Sequence, residues 1–135
     1  MHEPHYAPDI SALYFSDGPA PEDIFNQGMR VFVCGALQNP AKMRDVTGQS
    51  PAFAPACVAG YKRTTEIIEG NKVPFMVPDT SDPACILTGV VWLNLDQATL
   101  DRIESLELGG GFRRRIEITA HVGELNLTAY TYIQK

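Results

Sequence analysis

Hydrophobic positions in this chain come in short blocks, and their lengths predict strands with two helices set between them. Arg30 to Cys34 is an apolar run that stops at Gly35. Unbroken hydrophobicity over so few residues suits a strand buried on both faces. Pro55 to Thr65 reads as a second strand, and Ile86 to Leu93 carries the strongest strand signal in the chain. Val73 to Pro78 reads as extended or loop-like, because Pro74 and Pro78 both disfavour helix. From Phe112 the pattern alternates, with Phe112, Ile116, Ile118, Ala120 and Val122 on one face. Arg113, Arg115, Glu117, Thr119 and His121 take the other face. Gly123-Glu124 then suits a hairpin turn into a last strand, Leu125 to Ile133.

The helix signals are mostly signals of where helices begin and end. Asn39 suits an N-cap with Pro40 at the first helical position, and Gly48 suits the C-terminal stop. Asp96 opens the clearer helix, with Leu95 and Leu100 placed to close a hydrophobic staple around it. Leu100, Ile103 and Leu106 mark its buried face, and Gly109 to Gly111 end it. The order strand, helix, three extended segments, helix, hairpin predicts an α+β fold. A small mixed sheet or barrel with two short helices fits that order better than a doubly wound sheet.

At 135 residues the chain has room for one core, which we place in residues 30–135. Residues 1–29 are rich in Pro, Asp, Glu and Gly and read as a partly ordered extension. Their apolar patch at Ile10 to Phe15 has an added edge strand as its other reading.

Charge and cysteines narrow the function classes. A net charge of −5 argues against a binder of nucleic-acid backbones, which needs a basic face. The start, Met-His-Glu-Pro, lacks the positive and apolar regions of a signal peptide. No apolar stretch reaches the roughly 20 residues that span a bilayer. Cys34, Cys57 and Cys85 lack paired spacing and read as plain thiols, so a cytoplasmic protein is expected. His2, His5 and His121 are too scattered to suggest a metal site.

Three features carry candidate chemistry. Arg114 falls in phase with Phe112, Ile116 and Ile118, on the face that should be buried. Either it pairs with a carboxylate in or beside a pocket, or its head reaches solvent from the start of the strand. Glu104 and Glu107 border the apolar face of the second helix, one turn after Leu100 and Ile103. A carboxylate against apolar walls has its pKa raised by desolvation, which suits a general base. Periodicity does not choose between the two. The turn at Gly35, where a buried strand meets a helix, offers free N–H groups to an anion.

Together these residues resemble a known family. Cys34-Gly35-Ala36-Leu37, the strand end at Gly60-Tyr61, Val73 to Pro78 and Thr88 to Trp92 follow the layout of γ-glutamylcyclotransferase-like (AIG2-like) proteins. Leu100 to Glu104 followed by Gly111 to Arg114 is similar to that family's helix glutamate and its aromatic-x-Arg sequel. The likeness covers about residues 30–133. It implies an enzyme that releases 5-oxoproline and a free amine from a small γ-glutamyl amide, as the substrate's own α-amine attacks its γ-carbonyl. It assigns proton exchange to Glu104 and the substrate's α-carboxylate to the turn of Cys34, Gly35, Ala36 and Leu37. Phe112, Arg114 and Tyr130 join the expected substrate-binding set. No metal or organic cofactor is implied, no nucleic acid or membrane partner is expected, and the oligomeric state is left open.

Cys34 and Ala36 stand where the family usually has Tyr and Ser or Thr, and Phe112 where Tyr is common. Tyr130 and Tyr132 offer replacement hydroxyls. These departures give the alternative expectation, a non-catalytic relative that binds a small anion or a protein partner.

Overall fold

A computed structural model describes residues 28–81 and 85–135. The expected extension, with its patch at Ile10 to Phe15, lies outside the described residues except for Gly28 and Met29. The elements run in the order β1 (Met29–Val33), α1 (Pro40–Thr47), β2 (Phe53–Ala59), β3 (Tyr61–Ile68), β4 (Asn71–Pro78), β5 (Cys85–Leu95), α2 (Gln97–Glu107), β6 (Arg113–Val122) and β7 (Leu125–Gln134). Single 3-10 turns, Ala36–Gln38 and Gly109–Gly111, precede α1 and follow α2.

Five strands close into a barrel in the order β1-β5-β2-β6-β7, and β3 pairs with β4 in a separate two-stranded ribbon. The seam is parallel, with Val31 of β1 opposite Tyr130 of β7. The other barrel pairs are antiparallel. Alternate residues of β1 and β5 serve two cores. Phe32, Val91 and Leu93 fill the barrel with Val58, Ala120 and Ile133. Val31, Val33 and Trp92 face outward and are covered by Leu37, Met43, Leu100 and Ile103. Burial on both faces is why these two strands read as continuous apolar runs.

The helix ends form as their residues predict. The Asn39 side chain accepts a hydrogen bond from Ala41 N, and Gly48 takes the left-handed conformation, φ 74°, beyond α1. The Asp96 side chain accepts from Thr99 N at 2.8 Å. The two helices are joined where Arg102 Nη1 donates to the Thr47 carbonyl at 2.6 Å.

Several expectations are corrected. Pro55 to Thr65 is two strands in two sheets, because Gly60 at φ 86° turns the chain out of the barrel. Val73 to Pro78, by contrast, is extended as one of its two readings had it, and is part of β4, paired in register with β3. Leu106 is exposed rather than buried with Leu100 and Ile103, since the last turn of α2 runs past the barrel wall and borders a cleft. Phe112 lies outside β6 and is 44% exposed, and of the two readings of Arg114 the one that puts it in solvent holds. The inward face of β6 is buried fully only from Ile118 on, because its first residues overhang the barrel. Cys57 is disulfide-bonded and Cys34 is free, so the reading of all three cysteines as thiols fails at Cys57. Spacing along the sequence does not say which cysteines the fold brings within bonding distance. Among the described residues, no helix is long and apolar enough to cross a membrane.

Candidate active site

One cleft of about 300 Å³ opens between the turn after β1, the last turn of α2, the β4 edge of the ribbon, and β6 and β7. The turn of Cys34, Gly35, Ala36 and Leu37 forms one wall, and Leu106, Glu107, Arg113 and Tyr132 approach it from the other elements. Pro74 and Met76 of β4 complete an apolar side.

The turn is held from behind. Trp92 Nε1 donates to the Leu37 carbonyl at 3.0 Å, so the indole buried under the helices fixes where the turn sits. The carbonyls of Gly35 and Ala36 accept from Gln38 N and Asn39 N at 3.0 and 3.1 Å. As at any helix start, the N–H groups of the turn's first residues have no acceptor within it. Thr131, a buried hydroxyl on β7, donates to the Phe32 carbonyl at 2.8 Å and fastens β1 across the barrel seam.

The two α2 carboxylates meet different surroundings. Glu104 Oε2 accepts from Arg115 Nη1 and from the Tyr132 hydroxyl, both at 3.0 Å. The Arg115 guanidinium also lies over the Tyr130 ring, 4.5 Å from its centroid. Burial, followed by the Glu104 charge and the bond to it, raises the Tyr132 pKa far above the ordinary phenol, so this hydroxyl stays protonated and donates. Glu107 lines the cleft itself, and burial raises its carboxyl above the usual glutamate value, with Arg113 opposing the shift.

Burial also raises the Cys34 thiol, against the lowering charges of Arg63 and Arg113. That is the opposite of what an activated nucleophile needs and agrees with reading Cys34 as a packing thiol. Arg113 is fixed at the rim. Its Nη2 donates to the Pro74 carbonyl at 2.6 Å, and its guanidinium lies 4.6 Å from the Phe75 ring centroid.

The expected site residues thus divide. Cys34, Gly35, Ala36 and Leu37 line the cleft, whereas Glu104 does not line it and is linked to it through the Tyr132 hydroxyl. Phe112, Arg114 and Tyr130 do not line it. The Phe112 ring instead folds back over Gly110, and Tyr130 packs beneath Arg115. The carboxylate partner that one of the two readings gave Arg114 belongs to Arg115, whose side chain is on the opposite face of β6. Sequence reasoning passed over Arg113, which the alternation consigned to the outer face, and Thr131, a polar residue in an apolar strand. Only the second left a signal, as a hydroxyl between Tyr130 and Tyr132.

Solved structures share this fold. A solved structure named as a γ-glutamyl cyclotransferase superposes with a TM-score of 0.67 at 15% identity, over 79% of this chain and 66% of its own. An Arabidopsis thaliana protein gives 0.64 at 20% identity, over 78% and 68%. A yeast γ-glutamyl cyclotransferase described as specific to glutathione gives 0.59 at 16% identity, over 81% and 69%. At such identities the likeness shows the fold, and the chain spans about two thirds of the length of these structures. No curated protein matches the sequence significantly. The family model described as "Gamma-glutamyl cyclotransferase, AIG2-like" matches residues 31–135, and the chain belongs to that family.

Proposed function

We propose that the cleft cyclises a small γ-glutamyl amide, releasing 5-oxoproline and a free amine. The observation that carries this reading is that the strand-to-helix turn and Tyr132 line one cleft, with the Glu104 carboxylate directly behind Tyr132, accepting from its hydroxyl. The turn's free N–H groups suit the substrate's α-carboxylate, as oriented backbone amides suit any small anion. They do so without the side-chain hydroxyls that Cys34 and Ala36 lack.

Glu104 is the general acid/base. Two donors hold its Oε2, while no described residue donates to Oε1, which is left to exchange a proton. Glu104 takes a proton from the α-ammonium, and the amine attacks the γ-carbonyl. As the tetrahedral centre collapses and the C–N bond breaks, Glu104 gives that proton to the leaving nitrogen and takes the second from the ring nitrogen, which leaves a neutral lactam N–H. This second proton then leaves with the amine as its ammonium. Ring closure to a five-membered lactam needs a folded substrate and a positioned base more than a strong nucleophile.

The test is 5-oxoproline formation from a panel of γ-glutamyl amines and dipeptides, followed by mass spectrometry. General acid–base catalysis contributes about 10²–10⁴-fold, so Glu104→Gln should lose on the order of 10²-fold or more with its fold intact. Cys34 and Ala36, apolar at positions where the family turn is polar, favour a second reading as a binding relative. That reading is adopted if the native chain yields no 5-oxoproline from any member of the panel.

A further inference from the structure

Glu107 has no task in that scheme, and its surroundings ask for one. It is the acidic residue among those lining the cleft, and no described residue gives it a hydrogen bond or an ion pair. The two cations of the rim are not its partners. Arg113 is committed to the Pro74 carbonyl and the Phe75 ring, and Lys42 of α1 is exposed and forms no ion pair among the described residues. The other titratable groups around it are the Cys34 thiol and the Tyr132 phenol, and its negative charge adds to the rise in pKa of each. A desolvated carboxylate without a cation from its own chain costs free energy unless a ligand supplies one.

We propose that Glu107 recognises the ammonium group of a bound α-amino acid moiety. It would do so across the cleft from the Cys34 to Leu37 turn. A primary ammonium fits better than a metal ion, because a single carboxylate among apolar walls is a poor hard-cation site. The identity of the moiety rests on the cyclotransferase reading. The recognition of an ammonium rests on Glu107 and its missing partner. In the reaction, this contact would hold the α-amine over the γ-carbonyl while Glu104 exchanges the proton.

The test compares binding of L-glutamate with binding of glutarate, which lacks only the amine, by calorimetry on the full chain. Neither probe is an amide, so turnover does not intrude. Native protein should prefer L-glutamate by about tenfold or more, the scale of one charge-assisted hydrogen bond. Glu107→Gln should remove the preference and leave glutarate binding no weaker, and in the native chain the preference should fade as acid protonates Glu107. A preference that survives in Glu107→Gln, or equal binding of the two ligands by native protein, overturns the proposal. So does a native chain that binds neither ligand. If the preference depends on Glu107 but no 5-oxoproline forms from any substrate, the ammonium site stands and the cyclotransferase reading fails. If 5-oxoproline forms while the preference ignores Glu107, the reverse holds.

Discussion

At Gly89 there is no room for a side chain. A Cβ there would run into the Val33 carbonyl oxygen and lie 2.8 Å from the Phe32 ring, so β5 approaches β1 this closely only because the residue is glycine. Backbone on one side and a buried ring on the other cannot give way cheaply, and overpacking of this kind typically costs about 1–3 kcal/mol. Gly89→Ala should lose about that much stability in urea unfolding. An unchanged midpoint would mean that the seam between β1 and β5 is looser than described. Glu107 makes the opposite prediction. Its carboxyl is raised above its unfolded value by burial, so the stability it contributes is fully present below the unfolded pKa and is lost as pH rises through the folded one. At neutral pH the ionised carboxylate therefore works against folding. Glu107→Gln should unfold at a higher temperature than native protein near pH 7, with the gap closing below about pH 4, near the ordinary glutamate pKa. A variant less stable at pH 7 would mean that Glu107 has a stabilising partner.

Among elements, the helix limits were legible because each cap is a local matter. Asn39, Gly48 and Asp96 do what their side chains or conformational freedom allow whatever surrounds them. Asp96→Ala should cost about 1 kcal/mol by removing the bond to Thr99 N, read as a shift in the thermal midpoint. The break between β2 and β3 was not legible. A glycine in a strand-like run has several possible meanings, and only the path of the chain shows that Gly60 sits at φ 86° where barrel becomes ribbon. With left-handed backbone costing roughly 1–2 kcal/mol for a residue with a Cβ, Gly60→Ala should lower stability by about that amount. No cavity or clash complicates that measurement, since nothing lies within 4 Å of the Cβ position. Leu106 was misjudged for a related reason. Helical spacing says which residues share a face, but not where the wall opposite that face ends.

At the scale of the molecule, the site was legible in part. The turn after β1 and the glutamates of α2 could be named, because a strand-to-helix glycine and a carboxylate at the edge of an apolar stripe are local patterns. Their neighbours are set by topology. Arg115 rather than Arg114 reaches Glu104 because β6 begins beyond the barrel rim, where the face in phase with Ile116 has nothing to cover it. Tyr132 rather than Tyr130 enters the cleft because the parallel seam puts Tyr130 opposite Val31, one pleat away from the turn. The family and the fold are shown, and the reaction in the cleft is what we propose. The claim at the centre is that the substrate's own amine, not water, breaks the γ-glutamyl bond. The direct measurement is turnover of a γ-glutamyl amide in ¹⁸O-labelled water, with both products followed by mass spectrometry. Cyclisation predicts unlabelled 5-oxoproline in equal amount to the released amine, with no labelled glutamate. Labelled glutamate, or no release of the amine, would contradict it.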